Sequence, residues 1–347
     1  MRALVLDDVA VSALCGPHAG HITPKPQHPA RPAAKVDGAG RPTPHNGEVS
    51  QPPDATRRRT VVGAATQVGT EVSINLGSAL AGVAIPSVGS PIVVAVRQLV
   101  MLAVLLPFYR PRRSLLTWRR LWPAVALGVT LAVMNLAFYE SVHLLGLGIA
   151  ATVEFLGPLL LALATSRRLL DVACVVVAGA GVVLLTGLEG QVDAWGIVLA
   201  LVAAAAWAAY ILLTRRVALG LPGLEGLTVA SIVSLSLILP FAAITLPGAR
   251  FSWPIVALLI GIGILSSALP YALDTFILRR ITPRLYAIIT SFGPVVAAVF
   301  GWMVLDERLG WVQLLAIALV CAAAGTAIAT QRPAPASELE QTAEGLT

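Results

Sequence analysis

An arginine and a glutamate, each alone in an otherwise apolar run, are the side chains most suited to chemistry in this sequence. Arg97 is the only arginine inside such a run, and Glu154 lies inside another. A charge at bilayer depth costs roughly 2.5–3.5 kcal/mol on insertion scales, so each needs a partner or a purpose. Arg97 stands six residues into its run (91–109) and Glu154 six into its own (148–166). At the rise of an α-helix, both lie about 9 Å from the same surface. They are expected to face one cavity. Two roles stay open: a buried pair that only stabilises, or a site where Arg97 attracts a carboxylate while Glu154 exchanges a proton or binds an amine. Glu71 lies in a third run with Thr66, Gln67, Ser73 and Asn75 around it, a polar stripe that implies a water-lined face. It is a further proton-carrier candidate, because low dielectric penalises the charged form of a carboxyl group.

Asn135, Tyr139, Trp207, Tyr210 and Tyr271 also fall within apolar runs. Buried Tyr and Trp want a hydrogen-bond partner, so these residues either shape a pocket or pack helices. Glu140 and His143 are expected to reach interfacial water, Asp274 to pair with Arg279 or Arg280, and Glu307 to lie in an outer loop.

The elements that hold these residues follow from the distribution of charge. Of 347 residues, 57% are hydrophobic and 12% charged, with mean hydropathy +0.82. Runs of roughly 20 uncharged residues match the length of helix that crosses a bilayer. Lipid offers the backbone no hydrogen bonds, so the runs must be helical. Breaks in charge, proline and glycine predict ten spans: 62–85, 91–109, 121–142, 148–166, 170–188, 194–213, 225–246, 254–276, 285–304 and 311–330. The fold expected is all-α and integral to the membrane. Residues 1–60 hold nine prolines and four of the five histidines, and are expected to be a disordered tail. His18, His21, His28 and His45 are irregularly spaced without acidic or cysteine partners, so no metal or cofactor is expected. Cys15, Cys174 and Cys321 show no ligand spacing.

With ten spans, Arg57, Arg58, Arg59, Arg110, Arg112, Arg113, Arg119, Arg120, Arg167, Arg168, Arg215, Arg216, Arg279, Arg280, Arg284 and Arg332 all fall on one side; Arg250 and Arg308 fall on the other. Sixteen against two puts both termini in the cytoplasm. The net charge of +6 is thereby explained by a lipid bilayer rather than by nucleic acid.

Asn135 lies 23 residues before Pro158, and Tyr271 lies 23 before Pro294. Each proline follows a glycine, Gly157 and Gly293. Five spans per half is an odd number, so the halves are inserted in opposite senses: 61–189 and 190–331, followed by a C-terminal tail, 332–347. Inverted repeats of this kind build carriers with a midplane site, and a Gly-Pro within a span frees carbonyls to line a cavity.

The stretch Gly128–Tyr139 resembles the drug/metabolite transporter superfamily, EamA type. Leu147-Gly-Ile-Ala, Glu154-Phe-Leu-Gly-Pro158 and Ser166-Arg-Arg168 are similar to its threonine/homoserine exporter branch. Ala206–Leu212, Leu265–Tyr271 and Leu305-Asp-Glu-Arg-Leu309 extend the likeness over roughly residues 62–330. The resemblance implies ten helices in two inverted five-helix repeats, and proton-coupled export of small amino acids or related metabolites from a bacterial cell through its inner membrane. The same fold would also serve export of drugs or uptake of other metabolites. Three positions depart from the branch: Gly293 replaces a glutamate, Gly82 a lysine, and Glu140 an apolar residue. No phosphate-binding Gly-rich loop, His-Glu-x-x-His or Gly-x-Ser-x-Gly motif occurs, which disfavours an ATPase or a membrane enzyme. The absence of a soluble signalling domain disfavours a receptor. The oligomeric state is not legible.

Overall fold

The computed structural model describes residues 53–111, 117–164, 169–187, 193–221, 224–270, 273, 277 and 280–330. Every regular element among them is helical. In chain order they are α1 (Pro53–Val88), α2 (Ser90–Phe108), α3 (Trp118–Leu145), α4 (Leu147–Glu154), α5 (Leu156–Ala164), α6 (Leu169–Gly187), α7 (Ala194–Gly220) and α8 (Glu225–Thr245). Then follow a 3-10 turn (Leu246–Gly248), α9 (Trp253–Gly263), a π-helical turn (Ile264–Ala268), α10 (Pro283–Thr290), α11 (Gly293–Leu305) and α12 (Trp311–Thr330). Six helical segments are long and apolar enough to cross a membrane, and four shorter apolar ones, Leu147–Leu161, Val172–Val183, Trp253–Ala268 and Trp311–Ala327, accompany them.

α1 begins at Pro53, where a proline costs no helical hydrogen bond. Residues 53–60, expected in the tail, are therefore helical and carry Arg57, Arg58 and Arg59 on the first turns. The rest of that tail and residues 331–347 lie outside the described residues. Trp118, Trp122, Trp253, Trp302 and Trp311, near helix ends, are all exposed, as interfacial anchors should be.

Interruptions define the architecture more than the helices do. α4 stops at Glu154 and α10 at Thr290, each after eight residues. Phe155 follows the first at φ −65°, ψ −13°, and Ser291 the second at φ −63°, ψ −14°. The N–H of Phe155 bonds the carbonyls of Ala151 and Val153, and that of Ser291 those of Ala287 and Ile289. The two breaks are thus the same local structure, 136 positions apart (155 to 291). Both lie before the Gly-Pro, which was expected to interrupt a span. Pro294 instead starts α11, where its missing N–H costs nothing.

Packing follows the same shift. α3 lies against α7 and α8, as α9 and the π-turn lie against α1 and α2. α4 and α5 meet α7, as α10 and α11 meet α1. α2–α8, α4–α11 and α6–α12 complete the set. Glycines allow the closest approaches: a Cβ on Gly128 would lie 2.6 Å from the Ala230 carbonyl oxygen, and one on Gly157 only 2.1 Å from that of Ala204. Without a hydrophobic drive between helices in lipid, such close contact is a main source of cohesion.

Candidate functional site

A cavity of about 200 Å³ opens where the two breaks approach α1, α2, α3 and α7. Arg97, Glu154, Glu71, Asn135, Trp207, Gly293 and Pro294 all line it. Arg97 reaches it from α2 and is tightly held. Its Nε donates to Ser267 Oγ (2.8 Å), one Nη to Asn135 Oδ1 (2.6 Å) and Tyr139 Oη (3.1 Å), and the other Nη to the Ser266 carbonyl (2.9 Å). The guanidinium also lies 5.5 Å from the Tyr139 ring centroid, a cation–π distance. Ser266 and Ser267 belong to the π-turn, which shifts hydrogen-bond pairing by one residue and leaves carbonyls to be met from outside. Arg97 meets one; Ser73 of α1 donates to the other, Leu265 O, at 2.7 Å.

All four Arg97 partners are neutral. Arg97 and Glu154 share one cavity, as expected, but of the two roles left open the direct buried pair is not formed; the Arg97 charge reaches Glu154 through space only. A guanidinium has five N–H groups, of which four are engaged here. One N–H on the second Nη is left for an anion in the cavity, and a positive charge among neutral partners is a standing attraction for one.

The carboxyl groups come from elsewhere. Glu154 is the last residue of α4, at the break itself. Glu71 accepts from Gln67 Nε2 (3.1 Å), which also donates to Thr290 Oγ1 (3.1 Å). A Cβ on Gly293 would lie 3.6 Å from Glu71 Oε2, so this carboxyl group faces the amino end of α11, where the helix carries partial positive charge. It occupies space next to the position where the resembling branch has a glutamate.

Of the remaining expected residues, Tyr139 is fully buried and supports Arg97 from behind. Trp207 forms a cavity wall and packs edge-on against Phe155 at 5.5 Å. Tyr210, one turn further along α7, packs with Leu127, Leu131 and Val217 and does not line the cavity. Gly157 and Pro158 are not on its wall either; Gly157 serves helix contact. Tyr271 and Asp274 lie outside the described residues. Ser78 and Thr290 line the cavity and were missed, although Ser78 continues the face of Gln67, Glu71 and Asn75 at spacings of four, four and three. Glu140 accepts a hydrogen bond from Ser90 and so ties α3 to α2, while His143 is exposed. At Gly82 a Cβ would lie 2.9 Å from Leu305, leaving no room for a lysine without repacking.

Glu307 lies in the α11–α12 loop, as expected, but it is not idle there. Its carboxylate accepts from the N–H groups of Leu147 (2.6 Å) and Gly148 (3.2 Å), capping α4 from the other half of the chain. Burial pushes its pKa up, more than those two hydrogen bonds pull it down.

A bundle of apolar helices closed around a chamber that houses ionisable groups is the architecture of a membrane transport protein. Residues 194–329 match the EamA-like transporter family. The threonine/homoserine exporter RhtA of Escherichia coli K12 is 36% identical over 272 residues, which cover 77% of this chain and 92% of that protein. The threonine/homoserine exporter RhtA of Salmonella typhimurium LT2 is 36% identical over 264 residues, 75% of this chain and 89% of that one. The chain belongs to the EamA-like transporter family, in the branch of these exporters. A solved structure described only as "Crystal structure of protein" superposes with a TM-score of 0.54 at 20% identity, over 79% of this chain and 96% of its own, and shares the fold.

Proposed function

We propose that this chain exports small hydroxylated amino acids, of the threonine and homoserine kind, across the bacterial inner membrane in exchange for protons. The observation that carries the reading is the one cavity that gathers Arg97, Glu154 and Glu71 beside two matched helix breaks. The exporters named among its relatives support the substrate class. The uncommitted N–H of Arg97 takes the substrate carboxylate. Glu154 takes the ammonium group when ionised and releases it when protonated, so substrate and proton compete for one side chain and are exchanged. Glu71 is the second proton carrier.

The ten apolar segments form two five-helix repeats, 61–189 and 190–331, inverted with respect to each other and with both chain termini in the cytoplasm. Sixteen arginines on one side, the twin breaks and packing partners that interchange under a shift of 136 positions support this arrangement. In inverted repeats, half-helices that meet at the midplane let either side open in turn.

The test is flux of radiolabelled threonine in vesicles containing the purified full-length chain, with and without an imposed pH gradient. The gradient accelerates wild-type flux, and Glu154→Gln loses the acceleration. Threonine flux indifferent to the gradient in both proteins refutes the coupling; absence of any threonine flux refutes the substrate.

A further inference from the structure

The serines and threonines of these helices mostly satisfy their hydroxyls within their own helix. Thr66, Thr70, Ser141, Thr152, Thr228, Ser231, Ser266 and Ser291 each donate to a carbonyl three or four residues back. Ser73 donates across to Leu265. Ser78 does neither. It is 5% exposed, lines the cavity, and makes no hydrogen bond with any described residue. One turn back on the same face, Asn75 also lines the chamber; its Nδ2 donates to the Glu71 carbonyl (2.9 Å), while its Oδ1 accepts no hydrogen bond from the described residues. Both amide and hydroxyl therefore keep hydrogen-bonding capacity in a space whose neighbouring walls, Ile74 and Phe138, are apolar.

We infer that Ser78 and Asn75 form the subsite that reads the side-chain hydroxyl of the transported amino acid. This rests on the proposed export of hydroxylated amino acids and assigns its selectivity to α1. The division of labour follows from chemistry. Arg97 and the carboxyl groups recognise the charged ends common to all amino acids, so they cannot tell threonine from valine. A hydroxyl that can give and take one hydrogen bond, next to an amide oxygen that can take another, does. An aliphatic analogue of the same size leaves these buried groups unmet, which is how polar sites reject it.

Vesicles with the full-length chain are loaded with equal subsaturating threonine and valine, each with its own radiolabel, and the ratio of initial rates is read from one sample. The ratio does not depend on how much protein is folded. Wild type favours threonine by roughly 3- to 10-fold, the worth of one net hydrogen bond. Ser78→Ala brings the ratio close to one, Asn75→Ala lowers it, and Ser78→Thr, which keeps a hydroxyl, restores preference. If Ser78→Ala keeps the wild-type ratio, the subsite is refuted while the exporter reading stands. If wild type moves neither amino acid, both are refuted.

Discussion

Glu307→Ala is expected to loosen the bundle at a contact between its two halves. α4 has only eight residues, too short to hold itself without capping or packing. Its N-cap residue, Gly146, has no side chain to bond the first free N–H groups and adopts φ +85°. Glu307, 160 residues away, supplies both acceptors. Losing a helix cap costs roughly 0.5–2 kcal/mol, and orphaning a buried N–H costs about 1–3 kcal/mol. Water reaches this half-buried site, so about 2 kcal/mol is the sensible sum. For a chain of this size that lowers the midpoint of thermal unfolding by about 3 °C. Glu307→Gln keeps one acceptor and should lose about half as much. Gly301 supplies a control: a Cβ there would lie 2.2 Å from Glu307 Oε2, so Gly301→Ala displaces the carboxylate. Gly301→Ala should destabilise wild type and add little once Glu307 is alanine. The sign with pH is also set. Burial raises the folded-state pKa of Glu307 above its ordinary 4.5, so between these values the folded protein holds more protons than the unfolded chain. Stability from this group is therefore greatest at low pH and falls as pH rises through the window. Thermal melting of the detergent-purified protein at several pH values checks both parts. An unchanged midpoint for Glu307→Ala, or a wild-type pH slope equal to that of Glu307→Gln, refutes the reasoning.

Arg97→Lys should cut threonine flux roughly tenfold or more, since an ammonium cannot hold Ser266, Ser267, Asn135 and Tyr139 together and still offer a donor; flux near wild type excludes the role given to the guanidinium. Gly157→Ala drives a Cβ to 2.1 Å from a backbone oxygen and should cost about 1–3 kcal/mol in thermal stability. Gly293→Ala, at the matching site, meets nothing closer than 3.6 Å and should melt like wild type. Equal melting of the two variants would mean the α5–α7 contact is looser than its geometry. Tyr210→Phe, away from the cavity wall, should change neither the pH dependence nor the threonine-to-valine ratio of flux.

What could be read from the chain followed the cost of misplaced polarity. Arg97, Glu154 and Glu71 stood out because charge in an apolar run is expensive, and all three border one chamber. The matched Gly-Pro pair was legible in the sequence, yet the helices break a few residues earlier, because proline suits the start of a half-helix better than its middle. Ser78 was hidden: a serine among alanine and glycine reads as a packing residue until its hydroxyl is found unclaimed. The cap by Glu307 could not be read, because nothing local links a loop glutamate to an N–H group 160 residues earlier. Nor could the π-turn, whose sequence Ile-Leu-Ser-Ser-Ala is compatible with an ordinary helix. Tyr210 misled for the opposite reason. An aromatic three residues from Trp207 shares its face but lies a turn beyond the chamber.

The shift of 136 positions that carries one helix break onto the other does not preserve the charges around the cavity. It carries Glu154 to Thr290 and Glu71 to Trp207, and all four residues line the cavity. It carries Arg97 to Val233, which packs against Gly128 instead. Among the described residues, every ionisable group lining the chamber therefore comes from the segment before residue 190, while the later segment contributes hydroxyls, carbonyls, an indole and a helix amino end. The proposed inverted repeat accounts for two breaks meeting at one place; it does not account for the polarity of the chamber, since strict symmetry would have doubled each charge and set like beside like. The proposed substrate, an amino acid, has distinct ends, and a chamber that orients it must be unequal. On the proposed repeat, these three positions are where a symmetric scaffold acquires that inequality.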